Sequence, residues 1–155
     1  MMKPASLRAA LTAAIPDLRT TPEALTLLVS SGKIATRLPC LSFEYFYTLE
    51  VILVDFAHEP ETVILPILAW LQINQPDLLQ NHQNANSAIS FEAQILDAGL
   101  YDISLTLELT EVIVTTKNPD GSVSMQSAAE PQLSPELLAG LGLAPPLTEL
   151  TGVFT

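Results

Sequence analysis

A second cysteine is missing from this 155-residue chain, so Cys40 has no partner within it. An intrachain disulfide is excluded and a reducing compartment is expected. Basic residues are scarce too. Six Lys and Arg stand against seventeen Asp and Glu, for a net charge of −11. Phosphate backbones are held by clustered Lys and Arg, so sequence-specific nucleic-acid binding is not expected. Long apolar runs are also lacking: the longest, residues 63–71, is split by Pro66 and falls well short of the ~20 residues that span a bilayer. Lys3 and Arg8 interrupt the apolar start, which argues against a signal peptide. A soluble chain inside the cell, with no membrane partner, is the expectation. Core-forming material is plentiful. With 48% hydrophobic and 15% charged residues, the composition suits one ordered domain rather than a disordered chain.

The few bases are placed unevenly. Lys3, Arg8, Arg19, Lys33 and Arg37 lie in the first forty residues with only Asp17 and Glu23 for acid; the rest of the chain sets Lys117 alone against fifteen carboxylates. Copies of such a molecule attract end to body and repel body to body. Head-to-tail contacts are then favoured, and these close into rings or run on as filaments. Arg8, Arg19, Lys33 and Arg37 are therefore the candidate subunit interface. Solubility charge that happens to cluster would leave the same trace.

Leu7, Ala10, Leu11, Ala14 and Ile15 recur at helical spacing, with Pro4 suited to the first turn and Pro16 to the stop. Thr21-Pro22-Glu23 reads as a cap and one turn. Residues 25–30 and 33–38 read as two strands joined by a tight turn at Ser31-Gly32-Lys33. Residues 42–56 are the strongest strand. Phe43, Tyr45, Tyr47, Leu49, Val51 and Leu53 share one face, while Ile52 and Val54 on the other predict that its far half is buried on both sides. Residues 55–74 predict a second helix, in which Pro66 either makes a kink or marks the true first turn. The Asn- and Gln-rich residues 77–87 read as a loop.

Residues 89–96 alternate, with Ile89, Phe91, Ala93 and Ile95 on one face. Residues 101–115 do the same with Ile103, Leu105, Leu107 and Leu109. Residues 117–121 are a turn, and residues 123–126 a short returning strand. The simplest layer solution is α+β, an antiparallel β-sheet with two α-helices packed on it. That domain covers residues 1–127. Residues 128–155, rich in Pro, Gly and Leu, read as an irregular C-terminal arm with one short helix near Ser134-Pro135-Glu136 and leucines suited to docking.

No reaction centre emerges. Ser31-Gly32-Lys33 lacks the upstream glycines and the following helix of a phosphate loop. His58 near Asp55, Glu59 and Glu61 is the one cluster of acids with an imidazole, and acids at a helix start are expected without a metal. Cys40 as a nucleophile would need His58 or His82 as its base, and otherwise behaves as a small apolar residue. Glu44 and Glu50 lie about 20 Å apart along their strand, too far for a carboxylate pair. Trp70 could stack a ligand, but core packing explains it on an apolar helix face. No catalytic, metal or cofactor site is expected, and the chain is not expected to be an enzyme.

Four stretches in series carry a resemblance: residues 1–19 (MMKPASLRAALTAAIPDLR), 41–49 (LSFEYFYTL), 65–79 (LPILAWLQINQPDLL) and 89–111 (ISFEAQILDAGLYDISLTLELTE). Together they resemble the tail completion protein R family of P-two-type contractile-tailed phages and prophages. The resemblance implies a structural virion protein that completes or terminates the tail at its head-proximal end and prepares it for head joining. The implied partners are further copies of itself, in a head-to-tail ring similar to the tail terminators' rings, which are often of six subunits. Such a chain can stay a monomer in solution until it meets the tail. Tail tube or sheath and neck proteins are the other implied partners. The implied location is the virion tail, reached from the bacterial host cytoplasm during assembly. No cofactor or catalytic residue is implied. The alternative is a small acidic assembly chaperone or binding module that is not retained in the particle. A hydrolase built on Cys40 or His58 comes third.

Overall fold

The computed structural model describes residues 1–80, 88–96, 99–130 and 135–140. It is α+β, as expected. Five antiparallel strands form one sheet: β1 (Leu25–Thr36), β2 (Phe43–Phe56), β3 (Ile89–Ile95), β4 (Tyr101–Lys117) and β5 (Val123–Ser127). The order is β1-β2-β4-β3, and β5 also pairs with β4. Helices α1 (Lys3–Ala14) and α3 (Glu61–Asn74) cover one face, and the short α2 (Asp17–Thr20) and α4 (Pro76–Gln80) follow them. A further short helix, α5, spans Pro135–Gly140 and agrees with the turn expected near Ser134-Pro135-Glu136. The rest of the expected arm, residues 131–134 and 141–155, lies outside the described residues.

The core is the meeting of two periodicities. Leu7, Leu11 and Ala14 of α1 and Val63, Ile67, Trp70 and Leu71 of α3 are buried at helical spacing. Below them Tyr47, Leu49, Val51 and Leu53 of β2 and Ile103, Leu105, Leu107 and Leu109 of β4 are buried at every second position. Paired residues point to the same face, so the register of Leu49 with Leu107 and Val51 with Leu105 makes one continuous apolar layer. Pro16 ends α1 by restricting Ile15, which turns extended at φ −114°, ψ 100°. Pro66 does not start the second helix. It sits in the interior of α3, buried, with Glu61 as the first helical residue.

Four expectations are corrected. There is no hairpin at Ser31-Gly32-Lys33, because β1 runs unbroken through it and pairs with β2. A β-bulge between Val29 and Ser31 shifts the register, and Gly32 then lies opposite Tyr47. A Cβ there would approach Tyr47 Cβ and the Phe46 carbonyl oxygen to 3.2 Å. The glycine serves close approach in a strand, not a turn. The far half of β2 is not buried on both sides, since Ile52 is half-buried and Val54 exposed on the face without helices. Of the helical candidate 55–74 only Glu61–Asn74 is helical, entered at Pro60, and Asp55, at φ 52°, is left-handed. Residues 77–80 of the expected loop are helical, as part of α4, and residues 81–87 lie outside the described residues. The alternation of β3 is real, yet Phe91 and Ile95 remain exposed because the helices do not reach that edge.

Candidate functional site

The four candidate interface bases fall into two pairs with different surroundings. Arg8 lies on α1, half-buried, and its Nη1 donates to the Leu25 carbonyl oxygen at 3.1 Å. Arg19 folds back from α2 onto the end of α1. Its Nε donates to the Thr12 carbonyl at 3.1 Å and its Nη2 to the Ala13 carbonyl at 3.2 Å. A guanidinium there satisfies carbonyls that the helix end leaves without partners and meets the negative end of its dipole. Lys33 and Arg37 instead lie in the last part of β1 and in the connection after it. Residues 30–42 there are exposed apart from the half-buried Ser42, and carry no carboxylate.

The face of the sheet without helices is acidic and partly apolar. By register it presents Glu44 and Glu50 on β2, Glu92 on β3, and Asp102 and Glu108 on β4. Thr48 Oγ1 donates to Glu108 Oε1 at 2.9 Å across the strands. Leu28, Phe46, Val54, Val112 and Val114 stand exposed among these carboxylates. Lys33, opposite Phe46, stands on this same face at its β1 border, and Arg37 follows in the connection, while the carboxylates are carried by β2, β3 and β4.

A buried polar network joins α1 to the sheet, and its key members were not singled out from the sequence. Glu111 continues the inward series of β4 after Leu109 and is 2% exposed. Its Oε2 accepts the Met2 N–H at 2.7 Å, and its Oε1 accepts the Lys3 N–H at 3.0 Å and the Tyr47 hydroxyl at 2.6 Å. Burial alone pushes this carboxyl up, but the Tyr47, Met2 and Lys3 donors outweigh it and hold the pKa below the usual value. The Tyr47 hydroxyl is pushed far up by its burial and by the Glu111 charge. Lys3 Nζ donates to Gln75 Oε1 at 2.6 Å and pairs with Glu130 Oε1 at 2.7 Å. The sequence signal was available: a carboxylate at an inward strand position needs donors when buried.

Gln75, 1% exposed, completes the network. On the side of β4 away from β2, the pairing with β3 ends at Leu107 and the pairing with β5 begins at Ile113. Gln75 fills the gap. Its Oε1 accepts the Thr110 N–H at 3.1 Å, and its Nε2 donates to Thr110 Oγ1 at 3.0 Å and Asp77 Oδ1 at 2.7 Å. A side-chain amide here takes the place of a strand backbone.

The candidates for chemistry are scattered. His58 Nε2 meets Asp17 Oδ2 at 2.7 Å on the surface, while Glu59 accepts the Tyr101 hydroxyl at 3.3 Å. Cys40 is exposed in the β1–β2 connection, and its sulfur accepts the Ser42 N–H at 3.3 Å. The hydrogen bonds from Ser42 lower its pKa. His82 lies outside the described residues. Trp70 is core, with its Nε1 donating to Ser6 Oγ at 3.0 Å. Among the described residues no group of three His, Cys, Asp or Glu side chains is placed to hold a metal, and no helix is long and apolar enough to cross a membrane.

With no centre for chemistry assembled among the described residues, relatedness decides the reading. The family profile of P2 phage tail completion protein R matches residues 1–131. The chain belongs to this family. It is 41% identical over 132 residues to the tail completion protein R of Escherichia phage P2, a match covering 84% of each chain. No solved structure matches. The matched span takes in the whole five-stranded sheet, α1–α4 and Glu130, the partner of Lys3. The family is described by a role in building a tail, not by a reaction.

Proposed function

We propose that the chain works in phage tail completion, as a structural part that ends the tail on the side facing the head and readies it for head joining. In this reading it acts as a ring of copies in contact head to tail, seated on tail tube or sheath proteins and offered to the neck. It is made in the bacterial host cytoplasm and stays in the virion tail. Family membership supports the tail role. The observation that carries the ring is the separation of charge on the folded molecule. The β1 border and the connection after it, residues 30–42, bear Lys33 and Arg37 without acid, while β2, β3 and β4 bear Glu44, Glu50, Glu92, Asp102 and Glu108. Unlike surfaces that attract make heterologous contacts, and these close into rings when the rotation fits. If that acidic face lines the ring, like charge lets DNA pass without sticking.

The test is electron microscopy of tails from a phage or prophage deleted for this chain, alongside tails labelled through a tag on it. The reading expects label at the head-proximal tip only, and unjoined heads beside tails in the deletion. Finished, joined particles without the protein would overturn it in favour of a transient assembly factor.

A further inference from the structure

Among the described residues the sheet ends on β1 along one border and on β3 and β5 along the other. β1 pairs only with β2, and β3 only with β4, among the described residues. Past its bulge, residues 30–36 of β1 are all exposed. β3 is the same length, seven residues, and carries Phe91 at 62% exposure and Ile95 at 76% on the helix side of the sheet, beyond the reach of the helices. Open strand edges with apolar side chains recruit another strand unless they are guarded.

We infer that residues 30–36 of one copy add as an antiparallel strand to β3 of the next copy, in the register that sets Lys33 against Glu92. This rests on the assembly reading given above. Charge selects the two edges: residues 30–36 carry Lys33 and no acid, and β3 carries Glu92 and no base. Direction fits as well. Strands alternate along β1-β2-β4-β3, so β3 runs opposite to β1. A copy moved sideways without inversion, and slid along the strands by about six residue positions (~20 Å), continues the antiparallel alternation and keeps all helices in one layer.

The register follows from the side chains. Lys33 and Glu92 are the middle residues of their segments, and both lie on the face without helices, beside Phe46 and Ser104. The same register places Ile34, 66% exposed, against Phe91 on the helix side. One alignment therefore pairs opposite charges on one face and bare apolar groups on the other. β5 has no charged residue and offers Lys33 no partner. Because β1 meets β3 and never itself, each added copy leaves one edge of each kind until the series closes.

The experiment uses the full chain in a phage or prophage lacking its own copy. In a Cys40→Ser background, Ala35→Cys and Ser90→Cys lie directly opposite in this register, whereas Ala35→Cys with Gln94→Cys lie four residues out of line. Oxidised tails run without reductant should give a ladder of multiples from the first combination and none from the second. Tails that contain the first variant but give no multimer, or a ladder from the second alone, overturn the inference and leave the assembly reading standing. Finished tails that lack the Cys40→Ser chain overturn the assembly reading itself. If the paired cysteines are not incorporated, charge exchange decides. Lys33→Glu and Glu92→Lys should each cut infectious particles by roughly tenfold or more, with the double exchange restoring them. Singles without effect, or a double without rescue, overturn the pairing.

Discussion

Glu111 shows how one inward side chain organises its surroundings. Three donors converge on its carboxylate, so Glu111→Gln turns two acceptors into one and faces its amide toward N–H groups. A loss of about 2–3 kcal/mol in urea unfolding is expected near neutral pH. The pH dependence has a fixed sign. The folded pKa is depressed, so this stabilisation is complete above the ordinary carboxyl value and is lost as pH falls through the folded value. Glu111→Gln should therefore flatten the acid limb of the stability profile, as read by unfolding midpoints across that range. Gln75→Ala is expected to cost about 1–3 kcal/mol, since it strips the Thr110 N–H and the Lys3 ammonium of an acceptor. A Gln75→Ala chain as stable as its parent would contradict the strand-substitute role.

The elements divide the basic residues into those that hold the fold and those that do not. Arg19→Ala should lower stability by about 0.5–1 kcal/mol through the uncapped end of α1, while Lys33→Ala and Arg37→Ala should stay within about 0.5 kcal/mol of the parent. Thermal unfolding of the single variants checks this, and equal losses at Arg19 and Lys33 would refute the division. Reversing Arg8, Arg19 and Arg37 together would thus mix unfolding with failed assembly. Sequence periodicity was enough to read α1, β2, β3, β4 and β5, and for α1, β2 and β4 the face turned to the core. It failed at Ser31-Gly32-Lys33, because glycine serves turns and close approaches alike and only the Tyr47 neighbour tells them apart. It also failed at Gln75 and Lys3. Their partners lie far along the chain, at Thr110 and Glu130, and no local spacing reports on them.

At the scale of the whole molecule, uneven charge matters more than its total. If Lys33 and Arg37 lead association as proposed, salt screens it, and incorporation of purified chain into tails lacking it should fall steeply between about 0.05 and 0.5 M salt. Salt-independent incorporation would point to the apolar contacts alone.

Gln75 has a mechanical consequence. Because a side chain spans the interval between β3 and β5, the two short strands share no hydrogen bonds with each other, and each is fastened to β4 separately. Either can detach by itself while β4 stays registered on β2. One border of the sheet can loosen to accept a neighbour, and the strand beside it keeps its amides protected from exchange.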